Sequence, residues 1–170
     1  MEPLSYEDFK TLVCERRRAF HLELRDVYNV ESEDEPFGRW QRGEPDDYAW
    51  HQDWANFVRQ ATAVGVQFQR VRLANVPHSD YIRWGLDISP LNIEAGEDIR
   101  YLPRHLAHDI ELPDEDFWLL DDDKLILSVF SPDGRTGGFA GPSFPDLLRR
   151  CIVVRDQVWE RAIPYAQYVA

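Results

Sequence analysis

Apolar residues recur along this chain with two different periods, and the two periods alternate. From Phe20 to Leu24 every second residue is apolar, the pattern of a strand with one buried and one solvated face. From Trp50 to Ala61 the apolar residues instead form one stripe of a helix that ends at Gly65. Strand patterns that alternate with helix patterns predict an α/β fold, with a mixed twisted sheet and helices on both faces.

The other segments follow the same two patterns. Ser5 and Asp8 form a capping box, so the first helix is expected to begin near Tyr6. Strands are predicted at 66–73, 99–102, 116–120 and 125–130, the last two as a hairpin around three aspartates. Further helices are predicted at 46–64, at 79–96 with a break at Ser89-Pro90, and at 145–162. The acidic segment 31–45 and the glycine-rich segment 131–143 are expected to be loops, the first mobile and the second able to cover a pocket.

Size and charge limit the organisation and the partners. A chain of 170 residues is expected to form one domain, with residues 1–64 preceding a larger α/β portion at 65–170. The net charge of -12 would repel nucleic acid. No apolar run approaches the length of a membrane span, and the amino terminus does not resemble a secretory signal. We therefore expect a cytoplasmic protein that binds neither nucleic acid nor membranes directly.

Five segments of the chain are distinctive: FHLELRD (20–26), SDYIRW (79–84), AGEDIR (95–100), DFWLLDD (116–122) and VWERAIP (158–164). Together they resemble an uncharacterised actinobacterial family of the streptomycete type. The resemblance covers nearly the whole chain. Members are often encoded beside helix-turn-helix regulators, which implies such a regulator, or another genomic neighbour, as a protein partner.

Residues 65–164 also resemble one half of a phospholipase D-like domain, to which the first 64 residues would add a helix-strand extension. Catalysis there requires His-x-Lys-x-x-x-x-Asp, in which the imidazole attacks phosphorus and the lysine stabilises the phosphoryl oxygens. With Asp121 as the final residue of the motif, Asp114 and Asp116 replace the histidine and the lysine; with Asp122, Glu115 and Phe117 replace them. This resemblance implies a degenerate site, with no catalytic residue and no cofactor.

One cluster of residues favours the opposite interpretation. His105, His108, Asp114 and Asp116 are possible ligands of a divalent metal ion that would activate water. The cluster lacks a second helical His/Glu pair, and the aspartate turn lacks the glycine and the final glutamate of a calcium loop. Solvated turns are therefore the preferred interpretation, and a metal-assisted hydrolase is the alternative.

Candidate ligand-binding residues combine aromatic faces with guanidinium groups, which suit planar or carboxylate-bearing ligands. They are Tyr81, Arg83, Trp84, Arg100 and Trp118, with His21 and Arg25 on one strand face as further candidates. The leading hypothesis is a non-catalytic accessory protein or ligand sensor that pairs with a regulator. A second alternative is an acidic antitoxin-like or immunity partner of a basic protein.

Overall fold

One mixed sheet of eight strands forms the centre of the computed structural model, which describes residues 1–170. The strands are β1 (Glu2–Leu4), β2 (Arg18–Glu23), β3 (Gln67–Ala74), β4 (Glu97–Pro103), β5 (Phe117–Leu120), β6 (Lys124–Phe130), β7 (Thr136–Gly141) and β8 (Ile163–Pro164). Their order is β1-β7-β6-β5-β2-β3-β4-β8. Strands β2, β3 and β4 pair in parallel, and all other neighbours pair antiparallel. Because β2 lies between β5 and β3, residues 1–64 and 65–170 share this sheet.

Six helices cover the two faces. They are α1 (Tyr6–Cys14), α2 (Glu31–Gln41), α3 (Gln52–Ala63), α4 (Asp80–Ala95), α5 (Pro145–Arg161) and α6 (Tyr165–Tyr168). Helix α5 packs its apolar stripe on one face of the central strands, and α1 and α3 pack on the other. The predicted α/β class, the mixed sheet and the helices on both faces are confirmed. None of the helices combines the length and the apolar character that a bilayer crossing requires.

Local start and turn signals in the sequence are confirmed. The Ser5 side chain accepts a hydrogen bond from the amide of Asp8, whose carboxylate accepts from the amide of Ser5, and α1 begins at Tyr6. The predicted hairpin pairs β5 with β6. Its turn residue Asp121 has a positive φ of 48° and accepts hydrogen bonds from the backbone amides of Arg17 and Arg18. The turn therefore fixes the start of the neighbouring strand β2, in addition to reversing the chain.

Strand β2 is not half-solvated, as its alternation predicted. Phe20 and Leu22 are buried on the α5 side, and Ala19 and His21 are buried on the opposite side. The reason is its central place in the sheet, which leaves both of its faces covered. The polar residues of the strand therefore face the interior of the protein.

The acidic segment predicted as a mobile loop forms helix α2. Glu31, Glu33 and Asp34 lie in its first turn, where they complement the positive end of the helix dipole. Phe37 contacts helix α4 through its ring, which lies 5.3 Å from that of Trp84. Tertiary packing thus overcomes the local signals of Pro36 and Gly38, whereas Gly43 and Pro45 lie beyond the end of the helix.

Two further predictions are corrected by the sheet and its neighbours. Helix α4 continues through Pro90, which has no N–H group to donate to the Leu86 carbonyl one turn earlier. The Tyr165 hydroxyl donates to that carbonyl instead, at 3.0 Å. The segment 131–143 is not wholly irregular, since it contains β7, which pairs with β6 and β1. A register shift between Val129 and Phe130 accommodates its glycines.

Candidate functional site

A cavity of about 510 Å³ lies between the sheet and the helices on the α3 side. Strands β2, β3 and β5 form its floor, and residues of β6, β7, α2, α3 and α4 form its walls. The exposed residues Tyr6, Ser32 and Thr136 also line the cavity, so it reaches the protein surface there. Its volume is within the range of small-molecule sites.

The floor of the cavity is polar, although it lies in the middle of the sheet. His21 pairs in register with Arg70 on one side and with Trp118 on the other, and Glu23 pairs with Arg72. Because side chains alternate along a strand, all five point to the same face, while their sequence neighbours enter the apolar core under α5. Ionisable groups therefore lie on this face of the central strands, where apolar side chains would ordinarily be buried.

Two arginines and two glutamates form an ion-pair network on this floor. Glu23 contacts both Arg70 and Arg72, and the second Glu23 oxygen lies 2.8 Å from Arg72 Nε without being aligned for a hydrogen bond. Arg70 also donates to Glu97 Oε1 at 2.8 Å. Burial alone would raise the pKa of Glu23, but Arg72 and Arg70 lower it to about 2. The formal charges of the two arginines and the two glutamates balance, and Glu23 is ionised at neutral pH.

The network continues through neutral groups to the edge of the cavity. Asn92 donates to Glu97 Oε2 at 2.5 Å, and the Asn92 carbonyl oxygen lies 2.9 Å from His51 Nε2. His51 and Asn92 are both buried. These contacts hold the arginine network against helices α3 and α4, and so fix the shape of the floor.

His21 occupies the centre of the floor without a hydrogen-bond partner. Its ring stacks on Trp118 at a centroid distance of 4.1 Å and an angle of 9°, and only 8% of its surface is exposed. Neither ring nitrogen is hydrogen-bonded, and the nearest carboxylate, that of Glu23, lies 3.5 Å from Nδ1. Burial lowers the pKa of His21 to about 3, so the ring is neutral.

Two carboxyl groups line the cavity outside the arginine network. Asp116 accepts from the Tyr28 hydroxyl at 2.5 Å and from the amide of Leu24 at 3.0 Å. Glu33 accepts from the Tyr81 hydroxyl at 2.5 Å. Burial raises the pKa of Asp116 to about 7 and also raises that of Glu33. Asp116 can therefore gain or lose a proton near neutral pH, and Glu33 keeps its proton to a higher pH than an exposed glutamate does.

Aromatic rings form much of the remaining wall. The Tyr28 ring lies 5.7 Å from that of Tyr81 and 5.4 Å from that of Phe130. Trp54 lies 5.8 Å from Trp118, and its indole N–H has no hydrogen-bond partner. Aromatic walls with a few fixed polar groups are typical of sites that hold a planar small molecule.

The structure brings together three of the seven predicted ligand-binding residues. His21, Tyr81 and Trp118 line the cavity. Trp84 is buried behind its wall, with its ring 5.6 Å from that of Tyr81. Arg25 stacks on the Phe130 ring at 4.3 Å and pairs with Glu115.

Arg83 and Arg100 do not converge with the others as predicted. Arg83 is 59% exposed and pairs with Asp80 one helical turn away. Arg100 belongs to the opposite face of the sheet, where its guanidinium lies 3.7 Å from the centre of the Trp159 ring. Sequence periodicity indicates which residues share one side of a helix or strand. It does not determine which face of the protein that side meets.

The four possible metal ligands are also dispersed. His105, His108 and Asp114 are exposed, whereas Asp116 is buried and bonded to Tyr28. No group of three or more His, Cys, Asp or Glu side chains is placed to hold a metal ion. The metal-assisted interpretation loses its ligand set, because Asp116 is held in the interior by Tyr28 and Leu24 while the other three side chains lie at the surface.

Sequence reasoning missed most of the floor and the second acidic wall. Arg70 and Arg72 belong to a strand that was predicted, in which the apolar alternation slips between Phe68 and Val71. That slip marked the site, because charged residues in a central strand face a covered surface. Tyr28 and Glu33 carried no comparable signal, since their positions depend on the unpredicted helix α2.

Comparison with known proteins places the chain in a family without assigning an activity. No curated protein matches it significantly. A family described as a domain of unknown function (DUF6879) matches residues 7–170, nearly the whole chain, which agrees with the expected membership of an uncharacterised family. The chain therefore belongs to the DUF6879 family.

Proposed function

We propose that this protein is a non-catalytic ligand-binding protein that holds a small planar molecule in the cavity above β2, β3 and β5. The observation that carries the proposal is the floor of His21, Glu23, Arg70 and Arg72 inside an aromatic cavity of about 510 Å³. Perturbed ionisable groups in a cavity of this size are the usual mark of a functional site.

The energetic cost of the floor supports a functional role. Removing an ion from water costs several kcal/mol even after the surroundings relax, and well-packed apolar residues are often equally or more stabilising. The other face of the same strands shows that this fold accommodates an apolar core at these strands. Polar groups kept at such a cost are expected where a ligand uses them.

The finer parts of the proposal concern ancestry and partners. We propose a degenerate phospholipase D-like half-domain, since Asp114 and Asp116, or Glu115 and Phe117, stand where that superfamily has histidine and lysine. The proposed output is association with a helix-turn-helix regulator encoded nearby. A net charge of -12 also supports a basic protein as the partner, as in an antitoxin-like or immunity pair, and such an association would weaken as salt increases.

Ligand binding is tested by thermal denaturation of the protein against a metabolite library. Hits should raise the melting temperature of the wild type and should not affect Ser128→Trp, which places an indole in the cavity. Ser143→Trp, at an exposed position, should respond as the wild type does. Equal stabilisation of wild type and Ser128→Trp, with far-UV circular dichroism showing both folded, would contradict the proposal, as would the absence of any hit.

A further inference from the structure

The charges around the cavity do not cancel. Arg70 and Arg72 are matched by Glu23 and Glu97 within the network on the floor. At the wall, Arg25 pairs with Glu115 at 3.6 Å. Every guanidinium close to the cavity therefore already has a carboxylate partner.

Two cavity carboxyl groups are left without a cation. Asp116 has as partners only the Tyr28 hydroxyl and the amide of Leu24, and Glu33 has only the Tyr81 hydroxyl. Tyr28 and Tyr81 contact each other, with ring centres 5.7 Å apart, so the two carboxyl groups belong to one region of the wall. Ionisation of both gives this region negative charge that no protein cation contacts directly.

A second and independent feature points to a missing ligand. His21 lines the same cavity, is more than nine-tenths buried, and has no hydrogen-bond partner at either ring nitrogen. Buried polar groups in proteins are normally satisfied, because an unsatisfied group costs about 1–3 kcal/mol. The unmatched carboxyl groups and the unpartnered imidazole therefore lie in one cavity.

We infer that the ligand carries a cationic nitrogen on a planar body, and that the cation lies against Asp116 and Glu33 among the rings of Tyr28, Tyr81 and Phe130. This inference rests on the proposed ligand-binding function and specifies its chemistry. A protonated amine or guanidinium supplies the missing counter-charge and also interacts favourably with the faces of aromatic rings.

An anionic ligand does not fit this arrangement. It would approach Asp116, Glu33 and Glu23, while the arginines that might attract it are already held by Glu23 and Glu97. Like charges at contact distance in a buried site repel each other strongly. The cavity therefore discriminates by charge even among molecules of the same shape.

The inference is tested with probes that differ only in charge. Three matched series serve: arylalkyl amines, the corresponding alcohols and the corresponding carboxylates, with tryptamine, indole-3-ethanol and indole-3-acetate as one set. Binding to the full chain is measured by calorimetry at pH 7.5. Amines should bind about tenfold or more tightly than their alcohols, and the carboxylates should not bind measurably.

Variants connect this preference to the two carboxyl groups. Asp116→Asn and Glu33→Gln should each weaken amine binding about tenfold and should weaken alcohol binding much less. Asp98→Asn, on the other face of the sheet, removes the same net charge and should change neither affinity. At pH 6.5, amine binding to the wild type should also release protons, seen as a buffer-dependent heat that Asp116→Asn reduces.

The possible failures are distinguishable. If alcohols or carboxylates bind as tightly as the amines, or bind when the amines do not, the inference of a cation is overturned while the ligand-binding proposal stands. If all three series and the metabolite library fail to bind, both are overturned. Loss of amine binding in Asp98→Asn equal to that in Asp116→Asn would also overturn the inference, because the preference would then reflect net charge alone.

Discussion

The two faces of the central strands differ sharply, although the same strands supply both. Toward α5, the buried residues of β2, β3, β4 and β5 are apolar and belong to a core of 15 buried residues that also includes residues of β6 and of the helix. Toward α3, the alternate residues His21, Glu23, Arg70 and Arg72 line a cavity. The α5 face is packed as buried sheets usually are. The opposite face contains a cavity lined by charged groups, which stabilises the fold less than apolar packing would.

This contrast explains where the stability of the fold must originate. The apolar face gains free energy from every methylene it removes from water. On the other face, the charged floor gains little overall, because the attraction within its ion pairs is offset by the cost of removing them from water. Substitutions on the two faces should therefore differ in size, in dependence on pH and even in sign.

The largest effect is expected on the apolar face. Phe117→Ala should lower the free energy of unfolding by about 3–5 kcal/mol, because this fully buried ring leaves a cavity beneath α5. Urea denaturation followed by circular dichroism measures the change, with Phe144→Ala at an exposed position as the control. A loss below about 1 kcal/mol would show that the α5 face is not the main source of stability.

The next effect separates the charged floor from an ordinary surface network. Glu23→Gln should lower the free energy of unfolding by about 3 kcal/mol, because it leaves Arg70 and Arg72 without their shared counter-ion in a buried site. Glu160→Gln, at an exposed position of α5, should change stability by less than about 0.5 kcal/mol. Similar small values for both would mean that water screens the floor as it screens a surface.

Sequence reasoning succeeded where neighbouring residues determine the structure and failed where residues distant in the chain determine it. The capping box of Ser5 and the stripe of α5 were visible because they depend on neighbouring residues. Helix α2 was not, since Phe37 becomes helical by packing on Trp84, which is 47 residues away in the chain. The roles of Arg70 and Asp116 were hidden for the same reason, because strand pairing, which the sequence does not encode locally, brings them into one cavity.

A third effect should depend on pH. Folded Asp116 keeps its proton up to a pKa of about 7, whereas an unfolded aspartate loses it near 3.8. The folded state therefore binds more protons between these values, and the Asp116 contribution to stability falls as the pH rises from about 4 to 7. Asp116→Asn removes this fall, so its stability relative to wild type should increase by roughly 3 kcal/mol between pH 4.5 and pH 8.

The measurement is urea denaturation of both proteins at the two pH values. Glu33, whose pKa is also raised by burial, adds to the same trend in both proteins and cancels in the difference. Asp98→Asn, which removes a carboxylate on the opposite face, serves as the control variant. A constant difference between Asp116→Asn and wild type from pH 4.5 to 8 would show that this carboxyl group titrates normally.

The smallest change at neutral pH is expected to have the opposite sign to the first two. His21→Phe keeps a ring on Trp118 and removes two unpartnered nitrogens, so stability at pH 7 should increase by about 1 kcal/mol. Folded His21 stays neutral down to a pKa of about 3, whereas the unfolded residue is protonated below 6.5, so the His21 contribution falls as the pH decreases through this range. The advantage of His21→Phe should therefore be larger at pH 5 than at pH 7, the reverse of the trend for Asp116→Asn. The measurement is urea denaturation at both pH values, with amine binding measured in parallel. The variant is expected to be more stable than wild type and to bind the amine less tightly. A less stable variant would mean that His21 belongs to the core and not to a ligand site.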